Sequence, residues 1–222
     1  MTRGPAFGAR FAPGGAALAA TWMLGAACVP RARPLAGAPA PEAVVLPRAD
    51  LPPSPQRVVF NWRYEEDGFS ARGDGVARVA PPDSARLDFF LAGGLGGGWA
   101  ILVADSLSSP GADVARRLVP PAPMLWAALG RLAVPSARDT TIRISGDTVR
   151  ADLAAGGRTW RVVFEGARLG SLEHLVGGRV VERLTREGAR VRYTQVPERR
   201  SLAIDVQRTE ASAPFPPAIW TR

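Results

Sequence analysis

Residues 57–64 read RVVFNWRY. In an extended chain successive side chains point to opposite faces, so Val58, Phe60, Trp62 and Tyr64 share one side while Arg57, Asn61 and Arg63 share the other. A segment of this kind buries one face and wets the other, as strands of an antiparallel sheet do. The same alternation returns along the chain. ARLDFFL (85–91) sets Ala85, Leu87, Phe89 and Leu91 against Arg86 and Asp88, and GWAILVADS (98–106) aligns Trp99, Ile101 and Val103. TIRIS (141–145), TVRADL (148–153) and RTWRVVFE (158–165) follow, the last aligning Trp160, Val162 and Phe164. SLEHLV (171–176), RVVERLT (179–185), ARVRYTQV (189–196) and RSLAIDVQRT (200–209) complete the series. Turn signals at Glu66-Asp67-Gly68, Gly146-Asp147, Gly156-Gly157, Gly177-Gly178 and Glu187-Gly188 separate the strands at roughly 8–12 residues, the spacing of a meander or barrel.

One interruption lies between Ser106 and Pro135. PPAPMLWAALGRLAVP places Met124, Leu125, Ala128, Leu129 and Leu132 at helical spacing, with prolines before the first turn and at the end. GADVARRLV (111–119) adds a turn or two before it. A helix this apolar, about ten residues long, has to lie against the apolar face of the sheet. The expected fold class is mainly β: a curved antiparallel sheet of about eleven strands, a half-open barrel, with a short helical plug.

All 28 basic residues among the 222 are arginine, and with 24 Gly and 21 Pro this composition reflects GC-rich coding more than guanidinium chemistry. Arg3 and Arg10 are the only charges in the first 27 residues, so from residue 28 onward 26 arginines face 20 acids. A modest positive charge of this size suits anionic headgroups. It does not make a nucleic-acid interface, which needs a concentrated patch on a recognisable module. The single Cys and single His exclude both an internal disulfide and a metal site built from Cys and His ligands. Nothing in the sequence calls for a cofactor or a metal, and nothing sets the oligomeric state.

The N-terminus carries its own signal. MTRGPAFGAR (1–10) has two positive charges and no negative one, and Ala16 to Ala27 is an apolar run of about a dozen residues, too short to span a bilayer and right for a secretory signal. Gly25, Ala26 and Ala27 stand directly before Cys28. This stretch resembles the lipobox of bacterial lipoproteins, in which the cysteine after the run is acylated and becomes the new N-terminus; the third residue before the cysteine is Gly25 where that family prefers Leu, with Leu24 one place earlier. The resemblance implies a signal peptide over 1–27 and a lipid anchor on Cys28; a conventionally cleaved signal, an uncleaved anchor, and Cys28 as a small apolar residue of the run are the alternatives. More than one acyl chain on one residue gives stable membrane attachment. Residues 28–56, with eight prolines between Pro30 and Pro55, read as a semi-extended tether, and residues 57–222 as the folded domain.

Over Arg57 to Trp220 the layout resembles the lipoprotein-localisation family of periplasmic carriers and outer-membrane receptors (LolA/LolB-like). The stretches that carry the resemblance are GDGVARVAPPDSARLDFFL (73–91), ILVADS (101–106), GGRVVERLTREGARVRYTQV (177–196) and APFPPAIW (213–220). It implies a half-open barrel with a lipid-binding cavity, acyl chains or lipoproteins as partners, and a place on the periplasmic face of the outer membrane. The cavity-lining candidates are Phe60, Trp62, Phe89, Trp99, Trp126, Leu129, Trp160 and Phe164; ordinary core packing is the alternative for each of them. In the receptor branch of that family a hairpin protrudes with a hydrophobic residue that contacts the membrane. Leu95, isolated in AGGLGGGW (92–99), is the corresponding candidate, and folding back on the domain is its alternative.

Catalytic signatures are missing. No Gly-x-Ser-x-Gly elbow occurs, and the glycines of GGLGGGW fit neither phosphate-loop pattern. A Ser/His/Asp arrangement would have to use His174, which shares a face with Leu172 and Val176. The sequence therefore points to a non-enzymatic, lipid-anchored envelope protein that binds acyl chains, with a filled-core scaffold lipoprotein and, more remotely, a periplasmic hydrolase as the other readings. If Cys28 carries the anchor, cells grown with a tagged fatty acid will label the wild-type chain and leave Cys28→Ala unlabelled.

Overall fold

In the computed structural model, which describes residues 29–94, 96–110 and 119–221, all the strands belong to one antiparallel sheet. They are β1 (Ala38–Pro39), β2 (Gln56–Glu66), β3 (Phe69–Ala80), β4 (Ser84–Leu91), β5 (Gly97–Val103) and β6 (Ser106–Ser108), followed after helix α1 (Ala122–Ala128) by a second run. That run comprises β7 (Asp139–Ser145), β8 (Thr148–Ala155), β9 (Arg158–Glu165), β10 (Arg168–Val176), β11 (Arg179–Glu187), β12 (Arg190–Gln195) and β13 (Arg200–Ala211). A 3₁₀ turn, Pro217–Trp220, follows β13. The spatial order is β1-β7-β8-β9-β10-β11-β12-β13-β2-β3-β4-β5-β6. Each meander is sequential, and β13 pairing with β2 joins them. The two ends, β1 and β6, are not paired to each other, so the sheet is open.

Thirteen strands stand where about eleven were expected. The two extra ones are the edge strands β1 and β6, of two and three residues. β1 lies in the proline-rich segment, and proline is tolerated at an edge because a missing N–H there interrupts no interior ladder.

Alternation becomes burial along each strand. Phe60, Trp62 and Tyr64 of β2, Leu87 of β4, Trp160, Val162 and Phe164 of β9, Leu172 of β10 and Leu184 of β11 are all buried in one core on the inner, concave face. Two glycines of β3 allow close approach, one to a ring and one to the neighbouring backbone. A Cβ on Gly75 would lie 2.3 Å from the Phe60 ring, and a Cβ on Gly73 would lie within 3 Å of the Phe90 carbonyl. β5 departs from the expected facing. Its Trp99, Ile101 and Val103 are on the outer side, in register with Asp88, Arg86 and Ser84, while Ala100 and Leu102 face the core. Both sides of this strand are apolar because the 3₁₀ turn packs over β4 and β5 from outside, where Arg86 Nη1 donates to the Ile219 carbonyl at 3.3 Å.

α1 is seven residues rather than about ten, and its ending is specified locally. Gly130 takes a φ of +93°, its N–H bonds to the Ala127 carbonyl at 3.0 Å, and the Arg131 N–H bonds to the Trp126 carbonyl at 2.9 Å. This is a Schellman closure, for which the left-handed residue is normally glycine. The turn expected over 111–118 lies outside the described residues.

Residues 29–55 follow the surface of the sheet closely. Pro30 and Ala32 hydrogen-bond to Val180 and Gly178 at the start of β11, the Arg33 carbonyl accepts from Arg161, and Ala38–Pro39 pair with Ile144 and Arg143 of β7. The chain then turns onto the inner side, where the Ala49 carbonyl accepts the Leu132 N–H at 2.8 Å and Leu51 is buried in the core. Leu51→Ala is therefore expected to lower stability by about 2–3 kcal/mol in denaturant titration, whereas Val45→Ala, at an 83 % exposed position, changes it by less than about 0.5 kcal/mol.

Candidate functional site

A cavity of about 410 Å³ lies between α1 and the inner face of β2, β3, β4, β11, β12 and β13. Val58, Phe60, Val79, Leu87, Val191 and Ile204 supply its apolar wall, Ala128 and Leu129 at the end of α1 its cover, and Gly188 and Ala189 of the β11–β12 turn one side of its mouth. One cation lines it. Arg186 sends Nη1 to the carbonyls of Ala127 and Ala128 at 3.1 and 2.6 Å, adding a second donor to the Ala127 carbonyl, which already accepts from Gly130, and placing its charge at the C-terminal end of the helix. Burial, reinforced by the nearby charge of Arg168, holds its pKa below the usual guanidinium value. The group is nonetheless charged at neutral pH.

The sequence candidates divide into three groups. Phe60 and Leu129 line the cavity. Trp62, Phe89, Trp126, Trp160 and Phe164 are buried on the inner face but pack against the core itself. Phe89 meets Phe60 and Trp62 edge-on at 5.6 and 5.9 Å, and Trp126 donates its Nε1–H to the Ala104 carbonyl at 2.9 Å. Trp99 is on the outer face, with the Arg86 guanidinium 5.8 Å from its ring. Cys28 and Leu95 lie outside the described residues. On either side of position 95, Gly93, Gly94 and Gly96 take φ of 92°, 75° and 95°. The lining residues that periodicity did not single out are Val79, Val191, Ile204 and Arg186. Arg186 is the informative omission, since VVERLTRE carries charges at both parities and so does not reveal which side faces inward.

The inner face also holds a polar cluster at the other end of the sheet. Glu182, 7 % exposed, receives the Tyr193 hydroxyl at 2.7 Å on Oε1, and its Oε2 is 2.9 Å from His174 Nδ1. The His174 ring stacks on Trp160 at 4.4 Å, and its Nε2 is buried without a partner. Both neighbours contact the carboxylate, so the imidazole does not stand between an acid and a hydroxyl as a Ser/His/Asp relay requires. Burial, then the charge and hydrogen bond of Glu182, push the Tyr193 phenol far above its ordinary value, so it remains a proton donor. The folded phenol keeps its proton to higher pH than the unfolded one, whose value is about 10. Stability present below that pH is lost as pH rises through and beyond it, by up to about 1.4 kcal/mol per unit. Tyr193→Phe is expected to remove that part of the alkaline loss, measured by urea unfolding across the range.

With this geometry the chain can be set beside known structures. A LolA superfamily protein from Nitrosomonas europaea superposes over 78% of this chain and 93% of its own, with a TM-score of 0.50 and 11% identity. A domain described as an outer membrane lipoprotein-sorting protein, from Vibrio parahaemolyticus, gives 77% and 91%, a TM-score of 0.45 and 10% identity. A DUF1329 family protein from Desulfovibrio piger gives 76% and 90%, 0.40 and 8%. No family model and no curated protein sequence matches the chain. At this identity the likeness is one of architecture: the chain has the fold of a LolA superfamily protein, a curved antiparallel sheet left open and covered by helix on its inner side.

Proposed function

We propose that this is a lipid-anchored envelope protein that takes an acyl chain into the cavity under α1 and works in lipid or lipoprotein handling at the periplasmic face of the outer membrane. The observation that carries the proposal is the cavity itself: about 410 Å³, walled by Val58, Phe60, Val79, Leu87, Val191 and Ile204. That volume falls within the range of small-molecule sites, about 300–1,000 Å³. Each methylene buried there gains about 0.8 kcal/mol, so a chain binds without polar recognition along its length. Among the described residues Arg186 is the only charged one lining it, and it favours a ligand with an anionic or carbonyl end. The carrier reading is also supported by the shared fold, and the anchor by the lipobox-like run ending in Cys28.

A filled-core scaffold is the second reading, and one observation favours it. Trp62, Phe89, Trp160 and Phe164 occupy their part of the inner face themselves, so the open volume is confined to the other part. The hydrolase reading has no corresponding support: the Tyr193 hydroxyl is bound to Glu182 and held protonated.

The two readings separate on ligand uptake. A polarity-sensitive fatty-acid probe should bind the chain from residue 29 onward saturably. Val206, half-buried on the cavity wall, offers a way to close it. Val206→Phe is expected to weaken the probe at least about fivefold, the equivalent of roughly 1 kcal/mol, with the thermal midpoint little changed. Absence of saturable binding by the wild type would leave the scaffold reading in place.

A further inference from the structure

On the outer face, arginines are matched to acids in register. Arg161 faces Asp152, Arg183 faces Glu173 and Arg190 faces Asp205 on neighbouring strands, each pair within 2.7 Å. Elsewhere arginine faces arginine, as Arg63 does Arg72 and Arg143 does Arg150, and at one place three exposed arginines gather around an apolar side chain. Val176, the last residue of β10, stands between Arg158 of β9 and Arg179 of β11, and Arg31 bridges to Arg179. All four residues are exposed, Val176 by 44 %. None of the three arginines forms an ion pair among the described residues, and the adjoining Gly156-Gly157 and Gly177-Gly178 turns carry no acid. Arg31 and Arg179 face each other directly, where like charges repel, and Arg158 adds its charge one strand beyond Val176, so an external anion would relieve the cluster. Three guanidiniums around an apolar side chain suit phosphate headgroups at an interface, where arginine forks engage phosphate oxygens and apolar groups enter the acyl boundary.

The course of the chain brings a membrane to the same place. The Pro30 carbonyl accepts the Val180 N–H at 3.2 Å, the Ala32 N–H donates to the Gly178 carbonyl at 2.9 Å, and Arg179 Nη1 reaches the Val29 carbonyl at 3.5 Å. The residue next to Cys28 is thus held at the β10–β11 turn, with no free tether between it and the sheet. In antiparallel order the turns after β2, β4, β8, β10 and β12 share one end of the sheet. Of the six exposed large apolar residues among the described ones, Phe69, Phe90, Leu91 and Val176 border those turns; the basic character is local to the β8–β9 and β10–β11 turns, since Asp67 and Glu198 stand at the β2–β3 and β12–β13 turns.

We infer that this rim, centred on Arg31, Arg158, Arg179 and Val176, docks on the anionic phosphate headgroups of the bilayer that holds the Cys28 anchor. The inference rests on the lipid-anchor part of the proposed function and adds an orientation to it: the rim lies on the membrane and the β11–β12 mouth of the cavity points away.

The test uses the full acylated protein in vesicles of phosphatidylethanolamine and phosphatidylglycerol. The thiol of Cys28 is consumed in the thioether, so Val176→Cys presents a single site for an environment-sensitive fluorophore, and Ala189→Cys presents one at the opposite end. Quenching by headgroup-labelled lipid is expected at 176 and not at 189. Adding Arg158→Ser and Arg179→Ser is expected to lower quenching at 176 at least about fivefold, taking about 1 kcal/mol per arginine near an anionic surface. High salt is expected to weaken it without those two substitutions. Acylated Cys28 with equal quenching at both positions, or with quenching at 176 that neither salt nor the substitutions change, overturns the docking rim and leaves the anchor. Mass spectrometry showing unmodified Cys28 overturns the anchor, and the rim proposal with it.

Discussion

The pairing of β13 with β2 is the interaction on which the rest of the structure depends. It brings RVVFNWRY beside RSLAIDVQRT, with Ile204 opposite Trp62 and Val206 opposite Phe60, across more than half the chain. Each meander taken alone would bury only part of its apolar face. Joined, they give one continuous concave surface deep enough for α1. The closure entropy of so long a loop grows only slowly with its length, while the apolar area made available grows with every strand added to either side. The register shift between Val206 and Arg208 adds local twist at this seam, and the seam is also where the cavity wall lies.

The inner face is divided between packing and space by residue size. Where aromatic side chains meet edge-on, as in the Phe60, Trp62 and Phe89 group, they fill the volume, and the absence of a side chain at Gly75 leaves room for the Phe60 ring. Where the wall is Val58, Ala77, Val79 and Val191, the side chains are too short to reach α1 and a cavity results. Arg186 sits on that boundary. Its guanidinium holds the end of α1 through two carbonyls and presents charge beside an apolar space, so the same group both positions the cover and biases what enters beneath it. An empty apolar cavity costs dispersion contacts, which the proposed acyl chain would restore.

Much of the fold was legible because a half-wet antiparallel strand has a simple signature. β2, β4 and β7 to β13 follow from alternation, and glycine turns set their spacing. The legible part ends where both faces of an element are covered. β5 reads equally well in either orientation because Trp99, Ile101 and Val103 on one side and Ala100 and Leu102 on the other are all apolar. The C-terminal 3₁₀ turn that covers the outer side comes from a segment more than a hundred residues away. The proline-rich stretch was misleading in a different way. Proline and small residues cannot build a core of their own, but an extended chain can lie along an existing edge, and a single Leu51 is enough to fix its end. Site residues were least legible. Five of the aromatic candidates are core, and the cavity belongs to medium-sized residues whose role depends on what is opposite them.

The arginine cluster and the mouth of the cavity lie at different ends of the sheet, and that separation bears on how a carrier domain of this shape could work on a surface. At one end lie Arg158, Arg179 and the exposed Val176, Phe69 and Phe90; at the other lie the β11–β12 turn, Gln56 and the mouth of the cavity. A mouth pressed against headgroups would exchange ligand only with the bilayer beneath it. A mouth held away from the bilayer meets ligand presented from the water side, and the rigid path from Val29 to β11 removes the freedom that a long tether would give to turn over. If Cys28 carries the anchor and the cavity takes an acyl chain, the hydrogen-bonded path from Val29 to β11 fixes the orientation, and the inner face past Arg186 and the end of α1 is the route left for transfer.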